Sequence, residues 1–256
     1  MAVSSNELET EIVYPDSDGK PMAESDATRD YLIYGVEALS NYFQNQTDVY
    51  VSGNLFIYYK KGSPSAVIAP DVFVVFGVEK KKRMSYKAWE ENSQLPQFIL
   101  EITSKTTQEN DEYDKPIKYA QLGVQEYFQY DPTGDYLKSQ LKGQTLEEGR
   151  YQPLATTRLA DGVLSIHSQV LGLDLRLYEG ELRFYDPQTQ KKLLSPQEIE
   201  QARQEAEQAR QEAEQARQKA EQAQRDAIPR LKEMGLTVEQ IATALNLPVE
   251  EVRAYF

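Results

Sequence analysis

Two stretches decide how this chain reads: PDVFVVF at residues 70–76, and QFILEITSKTTQENDEYDKPIKYAQLGVQEYFQYD at residues 97–131. The β-branched and aromatic residues of VFVVF and QFILEI form near-continuous apolar runs, the pattern of strands buried on both faces. Asp71 then stands at the start of one strand and Glu101 near the end of the other. Side chains alternate along a strand, so Glu101 and Thr103 point to the same side. Asp111, Lys115 and Tyr119 follow at steps of four, the spacing of one helix face. Two strand-end carboxylates with a lysine close behind suit metal-dependent phosphodiester hydrolysis. The acids hold a hard divalent cation, which polarises phosphate and lowers the pKa of a bound water, and the lysine steadies the nucleophile or the developing charge.

The order PDVFVV, EITSKTT, Asp111-Lys115-Tyr119 and LGVQEYFQYDP resembles the Uma-two family of restriction-endonuclease-like proteins. That family is a branch of the PD-(D/E)xK nuclease superfamily whose lysine has moved from the strand to the following helix. The resemblance covers most of residues 22–187, taking in PMAESD, VSGNLFIYY and LGLDLRLYEGELRFYDPQT. It implies an α/β fold, with a restriction-endonuclease-like mixed sheet core and flanking helices, and an endonuclease dependent on Mg2+ or Mn2+ that acts on nucleic acid, DNA foremost. It also implies Asp71 and Glu101 as catalytic metal ligands, the backbone carbonyl of Ile102 as a further ligand, and Lys115 as the migrated lysine.

The sequence departs from the general PD-(D/E)xK pattern at Thr103 and from the family pattern at Lys105 and Pro116. Thr103 occupies the strand position of the superfamily lysine and cannot supply a cation, and Ser104 is followed by Lys105 where family members often have proline. Pro116 directly follows Lys115 and disfavours the α region there. This predicts Asp114 or Lys115 as a helix cap, with Pro116 in the first turn where its missing N–H costs nothing. Lys105 and Lys118 are the substitutes for Lys115, and Glu24 or Glu37 on the first helix are candidates for an added carboxylate.

Each feature has a plainer reading. Pro-Asp before an apolar run marks a turn, and a lysine on a polar helix face is a solubilising charge. Asp111 and Lys115 at i, i+4 could be a surface ion pair worth only about 0.3 to 0.5 kcal/mol. The competing function is therefore a noncatalytic nuclease-fold module that assembles partners through its C-terminal helix.

Charge weighs against a nuclease. The 256 residues carry a formal charge of −13; segment 196–227 carries −3 and segment 228–256 carries −1, leaving −9 on the first 195 residues. Such a field repels nucleic acid, whose nonspecific binding relies on Lys/Arg contacts to phosphate. Lys80, Lys81, Lys82 and Arg83 form the one basic cluster, readable as a phosphate-contacting loop but more simply as a solvated turn. There is no cysteine, which excludes disulfides and cysteine-based zinc sites. No run of eighteen apolar residues occurs, and the first residues lack an apolar signal core, so the expectation is a soluble, cytoplasmic protein without membrane partners.

The expected organisation is a core over 1–195, a heptad-repeat coiled-coil helix over 196–227 and a helix-turn-helix-like tail over 228–256. In the core, a helix is expected from Asp26 to Phe43, strands at VYVSG, NLFIYYK, VFVVF, QFILEI and VQEYFQY, and a short helix over Tyr86–Glu91 carrying Trp89 as a packing residue. Short alternating strands follow to Tyr185, with turns at Pro132-Thr133-Gly134, Asp161-Gly162 and Glu179-Gly180. His167 lies among these strands and is assigned no role. Four heptads place Ala202, Ala206, Ala209, Ala213, Ala216, Ala220, Ala223 and Ala227 on an a/d seam. Alanine favours helix but buries little area, so a long helix over 196–233, broken near Pro229, is expected to support at most weak homo-oligomers. In the tail, Gly235 reads as a helix stop, Thr237 as a cap with Gln240, and Ile241, Ala244, Leu245, Val249, Val252 and Phe256 as apolar positions. Glu250, Glu251 and Arg253 make a poor groove-reading helix, so a small helical cap or self-association element is preferred to DNA reading.

Overall fold

The apolar runs become the middle of a six-stranded mixed sheet. In the computed structural model, which describes residues 12–17, 19 and 25–256, the chain divides into two compact units, Met1–Pro196 and Gln197–Phe256. The large sheet of the first unit is built from β1 (Val49–Ser52), β4 (Val72–Phe76), β6 (Phe98–Ile102), β7 (Glu126–Tyr130), β8 (Leu141–Glu147) and β9 (Arg150–Pro153), in the order β1-β4-β6-β7-β8-β9. Only β6 and β7 pair in parallel in this sheet among the described residues; their register sets Ile99 beside Tyr127 and Glu101 beside Gln129.

Parity sorts this sheet into two chemically different faces. Even-numbered residues Val72, Val74, Phe98, Leu100, Phe128 and Tyr130 join one apolar core with Tyr34, Ala38 and Leu39 of helix α1 (Asp26–Tyr42). The same core takes in Leu173, Leu175 and Phe184 from a second, five-stranded antiparallel meander. Its strands are β10 (Thr156–Arg158), β11 (Leu164–Ser168), β12 (Leu173–Tyr178), β13 (Glu181–Asp186) and β14 (Lys191–Lys192). Odd-numbered residues Phe73, Val75, Ile99 and Tyr127 join the other core with Tyr119 of helix α2 (Lys115–Gln121). That core also holds Ile57, Ile68 and Tyr86 from a small sheet of β2 (Ile57–Tyr58), β3 (Val67–Ile68) and β5 (Tyr86–Lys87). Val72 to Val75 are fully buried. Each such aliphatic or aromatic side chain contributes about 1.5 to 3 kcal/mol, a contribution that a polar residue in this run would forfeit. Gly35 lets α1 approach the sheet: a Cβ there would stand 2.7 Å from the Val72 side chain.

Several expectations are corrected. The two-residue strands β3 and β5 were not anticipated, and Tyr86–Glu91 splits into β5 and a single 3-10 turn, Ala88–Glu90. Trp89 packs against Tyr14, as a packing residue should. Asp114 is the N-cap residue of α2 and Pro116 lies in its first turn, as expected, but Asp114 has no side-chain cap hydrogen bond and the chain ahead of it is already helical. A π-helical segment, Asn110–Asp114, runs directly into α2, and Lys115 is itself helical at φ −62°, ψ −44°. The wider turn relieves the clash between a proline ring and the preceding turn's carbonyl, so the chain enters Pro116 without a break.

In the second unit, α3 (Pro196–Glu233) passes through Pro229 unbroken. Ile228 next to it is fully buried with Ile241, Ala242 and Val252, from α4 (Val238–Leu245) and α5 (Val249–Arg253). That packing supports the helix at the position where a proline costs it one hydrogen bond. Thr237 and Gln240 form the expected capping box, and Gly235 adopts φ +85° after the helix. Ala242 rather than Ala244 faces the small core, and Phe256 is exposed, its ring carrying the Lys232 ammonium at 4.6 Å. Along α3, Glu200, Glu207 and Glu214 each take a hydrogen bond from an arginine three residues on and a glutamine four residues on. The alanine positions from Ala202 to Ala223 are exposed.

Candidate active site

The crossover from β6 to β7 lies on the odd face, and it carries the polar cluster. Glu101 is completely buried near the end of β6. Its Oε2 lies 2.9 Å from the Lys115 ammonium and 3.3 Å from the Asp71 backbone nitrogen, and its Oε1 accepts a 2.5 Å hydrogen bond from the Tyr119 hydroxyl. The Asp71 carboxylate accepts the Ile102 N–H at 2.8 Å. Asp71 and Glu101 thus cross-link the start of β4 to the end of β6. The strand end leaves no slack, because a Cβ on Gly53 would lie 2.1 Å from the Asp71 carbonyl oxygen.

Asp111, fully buried on the π-helical segment, places Oδ1 2.7 Å from the same ammonium. The Asp111 carbonyl is in turn held by the Tyr127 hydroxyl at 2.8 Å and by Gln129 Nε2 at 2.9 Å. The π turn brings Asp111 and Lys115 over the sheet together, so the i, i+4 pair is interior rather than the surface pair of the plainer reading.

The electrostatics follow from burial and crowding. Burial, and next the Glu101 carboxylate, push the Asp71 carboxyl well above its ordinary range, against the pull of Lys115 and the Ile102 N–H. Burial raises Asp111 as well; Lys115 opposes this and Glu101 adds to it. For Lys115, burial favours the neutral amine, but Glu101, Asp111 and Asp71 outweigh it and hold the ammonium above its ordinary value. Burial and then Glu101 raise the Tyr119 phenol, which stays a neutral donor.

The site residues named from sequence therefore meet: Asp71, Glu101 and Lys115 are in one cluster, and Ile102 contributes through its N–H to Asp71. The alternatives lie elsewhere. Lys105 is exposed, and Lys118 donates to the Val67 carbonyl at 2.9 Å. Glu37 is exposed on α1, which packs on the opposite face of the sheet; Glu24 lies outside the described residues. Thr103 is buried, with its hydroxyl lacking a hydrogen-bond partner. The basic cluster after β4 is largely spent internally. Lys80 reaches the carbonyls of Ser40 and Phe43, Lys81 and Arg83 pair with Glu91, and Arg83 lies over the Tyr50 ring at 4.2 Å. His167 is paired with Asp174 at 2.8 Å. Sequence reasoning had no role for Tyr127 and Gln129. Their parity with Glu101 on adjacent strands was the available signal.

The donor chemistry fits a hard cation. The side chains of Asp71, Glu101, Asp111 and Thr103 offer only oxygen donors, and the Thr103 hydroxyl is buried without a hydrogen-bond partner. Among the described residues no three His, Asp or Glu side chains are already drawn together as an ion-holding group. The fit therefore rests on the Asp71 and Glu101 pair with the strand backbone.

The family model Uma2, described as "Putative restriction endonuclease", matches residues 17–178, a span that contains the whole cluster. The chain belongs to the Uma2 family. No curated protein matches it. Membership points to a nuclease and to nucleic acid as substrate, and the mixed α/β core is consistent with the restriction-endonuclease-like fold. Such nucleases generally use divalent metals. No described helix is long and apolar enough to cross a membrane.

Proposed function

We propose that this Uma2 protein is a divalent-metal-dependent endonuclease that hydrolyses phosphodiester bonds in DNA. The observation that carries the reading is the Lys115 ammonium set between buried Glu101 and Asp111 beside Asp71. Asp71 and Glu101 would hold Mg2+ or Mn2+ with the Ile102 carbonyl, and the ion, when bound, supplies phosphate polarisation and a more acidic water. The carboxylates hold Lys115 protonated, so it acts on developing phosphate charge and on the orientation of the attacking water, not as a base. Tyr119 fixes the rotamer of Glu101 by donating to Oε1, and Asp111 keeps the ammonium over the strand ends.

The test is cleavage of supercoiled plasmid by the purified chain with Mg2+, with Mn2+ and with chelator. Metal-dependent nicking that Asp71→Asn, Glu101→Gln and Lys115→Ala each abolish supports the proposal. Lys115→Ala should leave Mn2+ affinity nearly intact. Nicking that persists in all three variants rejects this site.

The second reading, a noncatalytic module that recruits partners through α3, is favoured by Thr103 at the lysine position and by the internal consumption of the Lys80–Arg83 cluster. It predicts no cleavage under any metal. Homo-oligomers through α3 would appear as a change of mass by light scattering when residues 196–256 are deleted.

A further inference from the structure

The helix that carries Asp111 and Lys115 contains a hydrogen-bond defect, and the sheet below it is built to fill that defect. In the π-helical segment the Lys115 N–H bonds to the carbonyl of Asn110. The next donor in that ladder, aimed at the Asp111 carbonyl, would be residue 116, and Pro116 has no N–H. A buried carbonyl without a partner is strongly disfavoured. Here the Tyr127 hydroxyl and Gln129 Nε2 both donate to it, from one face of β7. Gln129 is the register partner of Glu101 and Tyr127 that of Ile99, so the strand that holds Glu101 and the strand that grips the helix are locked side by side. Tyr127 also packs edge-on against Tyr119, whose hydroxyl reaches Glu101.

We infer that Tyr127 and Gln129 are positioning residues. By holding the carbonyl that Pro116 leaves open, they fix the height and rotation of Asp111 and Lys115 over Glu101. The inference rests on the nuclease reading for its effect on rate, and on geometry alone for its effect on structure. With an N–H at position 116 the π turn would satisfy its own Asp111 carbonyl and would not need the two donors from β7. The proline transfers that bond to β7, and with it the register of the catalytic lysine.

The variants Tyr127→Phe and Gln129→Met preserve volume and remove only the donors. They are combined with each other, and with Pro116→Ala, which restores a backbone N–H. In the full chain the carbonyl 13C resonance of Asp111 should move in the double variant and move back when Pro116→Ala is added. Plasmid cleavage with Mn2+ should lose roughly ten- to a hundred-fold in kcat with KM changed less than about two-fold, as expected for a misplaced group rather than lost binding. Pro116→Ala should recover most of that loss. An Asp111 resonance that stays in place in the double variant overturns the inference, as does a kcat deficit of equal size with and without Pro116→Ala. Should the wild-type chain cut nothing, the nuclease reading falls. The Asp111 resonance, and recovery of the unfolding midpoint by Pro116→Ala, then decide the positioning claim by themselves.

Discussion

Asp111 with Lys115, and Glu200 with Arg203, are pairs of nearly the same sequence spacing, both on helices, and they have opposite physics. In the first the acid is fully buried and the ammonium is shared with a second buried acid. In the second both partners stand in solvent and the motif recurs every heptad. Removing one partner of a buried pair leaves a charge without compensation, whereas water replaces a lost surface partner at little cost. What separates them is the sheet beneath the first helix, which spacing alone does not reveal.

The sharpest way to break this comparison is to remove the cation from each region. Lys115→Met should cost about 3 to 5 kcal/mol in urea unfolding at neutral pH. A loss well under 1 kcal/mol would put Lys115 in the same class as the surface arginines. Next in size is Gly53→Ala, which touches no charge but forces a methyl group against the Asp71 carbonyl. Overpacking of this kind costs about 1 to 3 kcal/mol, and it should reduce Mn2+-dependent cleavage as well. Unchanged cleavage with reduced stability would mean that the cluster tolerates displacement of Asp71.

Acid should sort the two regions by sign. Asp71 and Asp111 have folded pKa values above their ordinary 3.8, so the folded state binds those protons more tightly. Their stabilising contribution is therefore present at low pH and is lost as pH rises from that ordinary value through the folded one. Metal-free core should gain stability on going from pH 7 to pH 5, by at most about 1.4 kcal/mol per pH unit for each titrating group. On α3, Arg203 and then Gln204 lower Glu200 from 4.5 to about 2, so its support is present above 4.5 and is lost as pH falls through about 2. Hydrogen exchange read separately on the core and on α3 should show these opposite trends; a core that weakens between pH 7 and pH 5 contradicts them. The smallest effect is expected from Arg203→Ala, Arg210→Ala and Arg217→Ala together, which should leave the calorimetric melting of the core unchanged.

The parts legible in the sequence are those set by local pattern. Apolar runs gave β4, β6 and β7, the acids at their ends gave Asp71 and Glu101, and the heptads gave a long helix. The capping box at Thr237 was legible for the same reason. What escaped depended on contacts distant in sequence. Pro116 reads as a helix start and does lie in the first turn of α2, but the π-helical segment ahead of it, whose Asp111 carbonyl is held by Tyr127 and Gln129, could not be read from local preference. Nor could the burial of Ile228 beside Pro229. The fate of Lys80 to Arg83 depends on Glu91 and on two carbonyls at the end of α1, and no rule about charge runs supplies those partners.

The parallel pairing of β6 with β7 also bears on when the cluster comes into being. Parallel strands require a crossover, and here the crossover is the segment that bears Asp111, Lys115 and Tyr119. Closing such a non-local pair is slow relative to forming a hairpin. A chain emerging from the ribosome therefore holds its acids and its lysine apart until Tyr130 has been made and β7 has docked. Assembly of the cluster and docking of β7 become a single kinetic event, and on the proposed function a chain folded short of that step would not cut.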